Sequence, residues 1–118
     1  MFISLPSRNL EVHYLSTAAF QDDHKLPLIL CLHGFPELSY SWRKVMLPLA
    51  KMGYRVVAPD VRGYGQTTGG SETYVSEEAG KQEFNLVNVA ADIQAFVAEL
   101  GYTQVTCMMF LSVSLILP

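Results

Sequence analysis

The pattern of apolar and polar residues predicts strands in several parts of the chain. Residues 10–14 alternate between apolar and polar side chains, so we expect a half-buried strand that pairs with residues 2–6 in a hairpin. Residues 26–32 and 54–58 are almost wholly apolar, which is typical of central strands in a parallel sheet that is covered on both faces. Residues 104–110 form a third run of this kind.

Apolar residues at helical spacing predict two helices between these strands. Residues 39–52 form the first, in which Pro48 should kink or divide the helix because proline lacks a backbone donor. Asn85 can cap the second, whose apolar stripe continues to Leu100. The polar segment 66–84 predicts a long surface loop. A strand, a helix and a strand in this order predict a right-handed parallel crossover and therefore an α/β fold.

The size and charge of the chain limit the classes of protein to which it can belong. Its 118 residues suffice for one domain, whereas a complete α/β enzyme has roughly 200–250. We therefore expect a part of such an enzyme. Half of the residues (50%) are apolar and only 16% are charged, which argues against a disordered segment. The formal net charge of -3 argues against nucleic-acid binding.

Export signals and membrane-spanning segments both contain long, continuous apolar runs. Residues 1–15 lack the continuous apolar run of a signal peptide, so we expect a cytoplasmic protein. The apolar stretch of residues 105–117 would be about 20 Å long as a helix, shorter than the roughly 30 Å of a bilayer core. We therefore expect no membrane-spanning segment.

Cysteine and histidine residues do not form the clusters that metal sites require. Cys31 and Cys107 lie inside apolar runs without metal-ligand spacing, so we expect buried, reduced thiols rather than a disulfide or a zinc site. His13 and His24 are expected to be surface or turn residues. No metal and no other cofactor is therefore expected.

The candidate chemistry lies in the turn His33-Gly34-Phe35-Pro36, which follows a predicted central strand. Gly34 permits a close backbone turn, while Pro36 fixes its own φ and restricts Phe35 to extended geometry. The Phe35 amide could then point into the crevice at the carboxyl end of the strand and donate to a developing oxyanion. The short motif taken alone fits a simple strand-ending turn equally well.

Longer motifs give this turn a family context. Residues 32–37 read LHGFPE, residues 39–43 read SYSWR and residues 53–65 read GYRVVAPDVRGYG. With these three motifs in this order and spacing, the chain resembles the α/β-hydrolase fold family, and most closely its epoxide hydrolase branch. The resemblance covers roughly residues 8–106 and corresponds to the amino-terminal third of such an enzyme.

The resemblance implies a fold and a set of site residues. The fold would be the amino-terminal part of an α/β-hydrolase: an antiparallel hairpin, then a mostly parallel sheet with flanking helices. The Phe35 amide would be an oxyanion-hole donor, supported by Gly34 and by Pro36, which would carry a cis bond. His33 would brace the turn and would not be the catalytic base.

The loop after the second central strand matches the family in Asp60, Arg62, Gly63 and Gly65. The resemblance implies structural roles for these residues, with Asp60 capping backbone donors and Arg62 pairing with carboxylates. The alternative is that Asp60 is a nucleophile, but no base is partnered with it in the sequence.

The family's nucleophile elbow, a Gly-x-[Ser/Asp]-x-Gly turn, has no counterpart in the sequence. We interpret residues 1–106 as a partial α/β-hydrolase domain, truncated before the elbow, and residues 107–118 as a divergent apolar tail. Ser112 and Ser114 lack flanking glycines and are not expected to be nucleophiles. We therefore expect this chain alone to be inactive.

Several functions remain open at this stage. In the complete enzyme the small-molecule substrate would be an epoxide, which reacts with water to give a diol. An esterase or a haloalkane dehalogenase of the same fold is an alternative. A second alternative is a non-catalytic truncated isoform that associates with a partner through an exposed sheet edge.

Overall fold

The computed structural model describes residues 1–17, 26–34, 38–69 and 86–109, which form a mixed sheet with helices on both faces. The described elements, in chain order, are β1 (Phe2–Leu5), β2 (Leu10–Ser16), β3 (Leu28–Leu32), α1 (Arg43–Lys51), β4 (Arg55–Pro59), β5 (Thr68–Gly69), α2 (Leu86–Glu99) and β6 (Thr106–Met109), with 3-10 turns at Pro6–Arg8 and Ser39–Trp42. Among these residues, no helix has the length and apolar character needed to cross a membrane.

The strands are arranged in the order β1-β2-β4-β3-β6, and β5 pairs with β2 beside this path. β2 is antiparallel to both β1 and β4, which confirms the predicted hairpin. β3 is parallel to both β4 and β6, which confirms that the predicted central strands are parallel. Because these three strands run in the same direction, their carboxyl ends lie at one edge of the sheet.

The hydrophobic core is divided between the two faces of the sheet. Leu28 and Leu30 pack on the face that α2 covers, whereas Ile29 and Cys31 pack on the face that α1 covers. Successive residues of a strand point to opposite faces, so a strand covered on both sides needs apolar residues at every position. This requirement explains the uninterrupted apolar run of β3.

Two predicted elements differ in detail from the observed ones. The predicted helix over residues 39–52 starts with the 3-10 turn and becomes α-helical only at Arg43, and it continues through Pro48 without division. In the predicted loop, Thr68–Gly69 pairs with β2. Gly69 has φ 110° and a Cβ there would collide with the Asn9 carbonyl, so a glycine is required. Residues 70–84 and the proposed cap Asn85 lie outside the described residues.

Candidate active site

Two loops meet at the carboxyl edge of the sheet. His33 and Gly34 follow β3, and Asp60 follows β4, the strand that is hydrogen-bonded to β3 in parallel. On the other side of β3, Leu32 is paired with Met109, the last residue of β6. Parallel sheets bind ligands at this edge, so the candidate residues lie where a site is expected.

His33 is buried and both of its ring nitrogens are hydrogen-bonded. Nε2 lies 3.0 Å from the backbone nitrogen of Val61 and can only accept that hydrogen bond. Nδ1 lies 3.0 Å from the Gly34 carbonyl oxygen and therefore carries the ring hydrogen and donates it. The imidazole thus joins the turn after β3 to the loop after β4. Nε2 could not take up a proton without losing the Val61 bond, which argues against a role as the catalytic base.

Asp60 is 3% exposed, and its carboxylate accepts hydrogen bonds from three partners. Oδ1 accepts the Ser39 backbone N–H at 2.8 Å, while Oδ2 accepts the Gln66 backbone N–H at 3.2 Å and the His13 ring Nδ1–H at 2.8 Å. Burial is the largest influence on the pKa of Asp60 and raises it, but these hydrogen bonds together hold the pKa below its ordinary value of 3.8. A carboxylate engaged in this way serves as a scaffold and not as an attacking group.

His13 is not the surface or turn residue that we predicted, since its side chain is only 13% exposed and lies in β2. The alternation of β2 directs Val12 and Tyr14 into the core and His13 to the opposite face. The loop after β4 covers that face: the Thr67 hydroxyl accepts the His13 backbone N–H at 3.0 Å and donates to the Asp60 carbonyl at 2.6 Å. Sequence alternation indicated the face correctly but could not indicate that a distant loop covers it. His24 lies outside the described residues.

Gly65 allows the loop after β4 to fold against the Asp60 carboxylate. Its φ is 56°, a conformation that favours glycine, and a Cβ at this position would overlap the Asp60 side chain. The glycine is therefore required both by the backbone conformation and by the close approach.

Arg62 pairs with a carboxylate, as predicted, and the partner is Asp92 of α2. Arg62 donates from Nε to Oδ2 at 2.8 Å and from Nη2 to Oδ1 at 2.9 Å, which is a bidentate pair. Arg8 donates from Nε to Oδ1 of the same carboxylate at 2.8 Å. The sequence analysis missed Asp92, although it shares the apolar face of α2 with Val89, and a carboxylate at such a position requires a partner.

The residues that carry the predicted backbone donor are only partly described. Phe35, Pro36 and Glu37 lie outside the described residues, so the direction of the Phe35 amide and the predicted cis bond of Pro36 remain predictions. Both flanks of this segment are described: His33 is bound to Val61, and Ser39 is bound to Asp60. His33 and Ser39, on either side of this segment, are thus bound to two consecutive residues of the loop after β4.

Both cysteines are free, as predicted, but only Cys31 is buried. Burial raises the pKa of the Cys31 thiol to about 11. Cys107 is exposed, contrary to our prediction, because β6 is the last strand of the described sheet and is less covered than β3. Cys31 is paired with Met108 and Cys107 with Leu30, so the two thiols point to opposite faces.

Among the described residues, no cluster of His, Cys, Asp and Glu could hold a metal ion.

An apolar groove of about 770 Å³ lies between α2 and the β3–β6 edge of the sheet. Its lining includes Leu32, Val89, Ile93, Val97, Val105 and Met109. Met109 is 62% exposed there. The described elements thus leave this face of β6 only partly covered.

Comparison with known proteins shows to which fold family the sequence is similar. Residues 27–109 match the sequence model of the alpha/beta hydrolase fold. The chain is 40% identical to epoxide hydrolase 3 of Siraitia grosvenorii over 67% of this chain and 22% of that protein. It is 34% identical to epoxide hydrolase 4 of Mus musculus over 87% of this chain and 25% of that protein. The chain thus spans about a quarter of the length of these relatives.

A solved structure gives the corresponding result in three dimensions. The crystal structure of an epoxide hydrolase from Vigna radiata superposes with a TM-score of 0.72 at 32% identity. The match covers 92% of this chain and 30% of the Vigna radiata chain. The similarity thus extends over nearly the whole of this chain and is confined to a part of the larger protein.

Proposed function

The chain belongs to the α/β-hydrolase fold family, and from this premise we propose that residues 33–37 form the oxyanion-binding turn of an epoxide hydrolase-like active site. The observation that carries the proposal is the attachment of the two residues that flank Phe35–Glu37: His33 is bound to Val61 and Ser39 to Asp60 at the carboxyl edge of the sheet. Oxyanion stabilisation requires a backbone donor that is held in place, and anchored flanks favour this. The Phe35 amide is the donor, and Gly34 and Pro36 shape the turn.

In the complete reaction, a carboxylate attacks an epoxide carbon and the ring C–O bond breaks as an acid protonates the oxygen. The products of this step are an ester between enzyme and substrate and a free hydroxyl group. A histidine base then deprotonates water, which adds to the ester carbonyl and forms a tetrahedral oxyanion. The Phe35 amide donates to that oxyanion until the ester C–O bond breaks and the departing alkoxide takes the hydroxyl proton of the intermediate. The diol then leaves with the carboxylate restored, and the proton taken up by the histidine returns to the acid.

The sequence of 118 residues offers no elbow nucleophile and no partnered base for this reaction. We therefore propose that the chain alone does not hydrolyse epoxides or esters. Its contribution is the oxyanion half of the site, since a reaction centre without nucleophile and base retains only the effects of oriented donors and binding.

A chimera tests the proposal directly. Residues 8–106 would replace the matching segment of the Vigna radiata epoxide hydrolase, and turnover of a simple epoxide would be measured. Phe35→Pro removes the amide hydrogen and should lower kcat by about 100- to 1,000-fold, whereas the matched control Phe35→Leu keeps the amide and should stay close to the unsubstituted chimera.

Two results would contradict the proposal. One is a folded chimera in which Phe35→Pro and Phe35→Leu behave alike. The other is measurable epoxide or ester turnover by the purified 118-residue chain, which would overturn the proposed inactivity.

The exposed end of the sheet supports a second proposal for the chain on its own. β6 is the last strand of the described sheet, and its residues Cys107 and Met109 are exposed. An open strand edge can add a strand from another protein. We propose that β6 provides such an association surface. We also propose a cytoplasmic location, in which reduced thiols at Cys31 and Cys107 would persist.

A further inference from the structure

We propose that His13, in the amino-terminal hairpin, is a positioning residue for the oxyanion turn and acts through the Asp60 carboxylate. This inference rests on the function proposed above for residues 33–37. His13 lies in β2, far from the turn along the sequence. No sequence motif connected it with the turn.

The Asp60 carboxylate has one orientation that serves the turn. Oδ1 must face the Ser39 N–H, 2.8 Å away, to hold Ser39, which follows the turn in the sequence. The opposite oxygen, Oδ2, is held by the His13 ring at 2.8 Å and less closely by the Gln66 N–H at 3.2 Å. The two oxygens rotate together about the bond to Cγ, so fixing Oδ2 also fixes Oδ1. His13 thus makes the shorter of the two contacts to Oδ2. Ser39 binds the carboxylate through its side chain as well as its backbone.

The side chain of His13 can be separated from its structural role in β2. Its backbone N–H donates to the Thr67 hydroxyl at 3.0 Å, and its carbonyl accepts the Asp60 N–H at 2.8 Å. Neither contact uses the imidazole, so a substitution at this position leaves the pairing of strand and loop in place. The ring itself contacts Asp60 and the ring of Phe2, whose centroid is 5.1 Å away.

The other end of the turn does not depend on the Asp60 carboxylate. His33 is held by the Val61 backbone N–H at 3.0 Å, which is a main-chain donor. Loss of the His13 ring should therefore weaken the Ser39–Asp60 hydrogen bond, while the His33–Val61 hydrogen bond persists. A general loss of stability would loosen both ends together, so the two cases have different signatures.

Amide hydrogen exchange of the 118-residue chain tests the proposal without requiring activity. In His13→Ala the Ser39 amide should exchange at least about tenfold faster, while the Val61 amide changes less than about twofold. His13→Asn is the matched control, because its side-chain amide nitrogen lies near the position of Nδ1 and can still donate to Asp60. It should restore slow exchange at Ser39. An unchanged Ser39 amide in His13→Ala, or equal acceleration of both amides, would overturn the proposal.

A measurement on the unsubstituted chain keeps the proposal testable if His13→Ala does not fold. The ring ¹⁵N shifts of His13 should show a hydrogen on Nδ1, the atom that faces Asp60. A neutral ring with its only hydrogen on Nε2 would refute the proposal. The Phe35→Pro result tests the oxyanion role separately: if it fails while the Ser39 result holds, His13 orders the turn but the turn does not stabilise an oxyanion.

Discussion

The buried Asp60 shows how a single residue links charge to folding. Its pKa is lower in the folded chain than the ordinary value of 3.8 that applies to the unfolded chain. The ionised form therefore stabilises the fold at pH values above 3.8, and that stabilisation is lost as the pH falls below 3.8 through the folded pKa. The hydrogen bonds from Ser39, His13 and Gln66 are the physical source of this dependence.

We predict that Asp60→Asn removes this part of the acid sensitivity. The free energy of unfolding at neutral pH should fall by about 2–3 kcal/mol, because the amide cannot accept hydrogen bonds at both positions. The gap between the two proteins should close as the pH falls below about 4. Urea unfolding at a series of pH values measures both effects. A gap that stays constant down to about pH 2 would contradict the predicted direction of the pKa shift.

The two cysteines are predicted to differ strongly in reactivity. Cys31 is buried with a pKa of about 11, so at pH 8 only about one thiol in a thousand would be ionised even if a reagent could reach it. Cys107 is exposed and should react with iodoacetamide in the native chain. Mass spectrometry should find one label at Cys107 in native buffer and two in denaturant. Rapid native labelling of Cys31 would show that the α1 face of the sheet opens readily.

For single residues, sequence patterns predicted the type of interaction better than they predicted which residue would be the partner. The pairing of Arg62 with a carboxylate was predicted, but Asp92 was not, because it follows Arg62 by 30 positions and no local pattern connects them. The surface position predicted for His13 was wrong for the same reason. Partners that come from another part of the chain are set by topology, which residue spacing does not contain.

At the scale of elements, the Asp92 carboxylate connects α2 to two separate segments of the chain. It binds Arg62 in the loop after β4 and Arg8 in the Pro6–Arg8 turn. The Arg62 contact is largely shielded from water, since Asp92 is 5% exposed and Arg62 is 8% exposed. The Arg8 side chain is more accessible, at 26% exposure. The orientation of α2 on the sheet therefore depends on one charged cluster in addition to apolar packing.

We predict that Asp92→Ala lowers the free energy of unfolding by about 3–5 kcal/mol, because two guanidinium groups lose a buried carboxylate. Glu99→Ala is the matched control on the same helix, where the side chain is exposed, and it should change stability by less than about 0.5 kcal/mol. Chemical denaturation of both variants measures the difference. Equal effects of the two substitutions would show that the charged cluster does not hold α2.

The strands could be predicted from the sequence more accurately than the start of the first helix or the loop after β4. The apolar run of β3 and the alternation of β2 follow from burial on two faces or on one, which sequence periodicity reports directly. The 3-10 turn at Ser39–Trp42 starts where the Ser39 N–H binds Asp60, a contact from a distant loop. The pairing of Thr68–Gly69 with β2 likewise depends on a partner far away in the sequence.

At the scale of the whole molecule, the open side of β6 and the adjoining groove should control self-association. Met109 is 62% exposed at this edge, and a charge there should oppose the addition of another strand. We predict that Met109→Lys reduces concentration-dependent association in analytical ultracentrifugation. Met52→Lys is the control, because Met52 is 72% exposed but lies at the end of α1, away from the edge. Equal effects of the two substitutions would indicate nonspecific aggregation and contradict the proposed surface.

The central place of β4 in the sheet has a consequence for synthesis on the ribosome. β2 ends at Ser16, but its neighbour in the sheet, β4, is completed only at Pro59. At roughly 5–20 residues per second, the nascent hairpin waits several seconds for its partner strand. During that interval the unfinished side of β2 is available to chaperones and to neighbouring nascent chains.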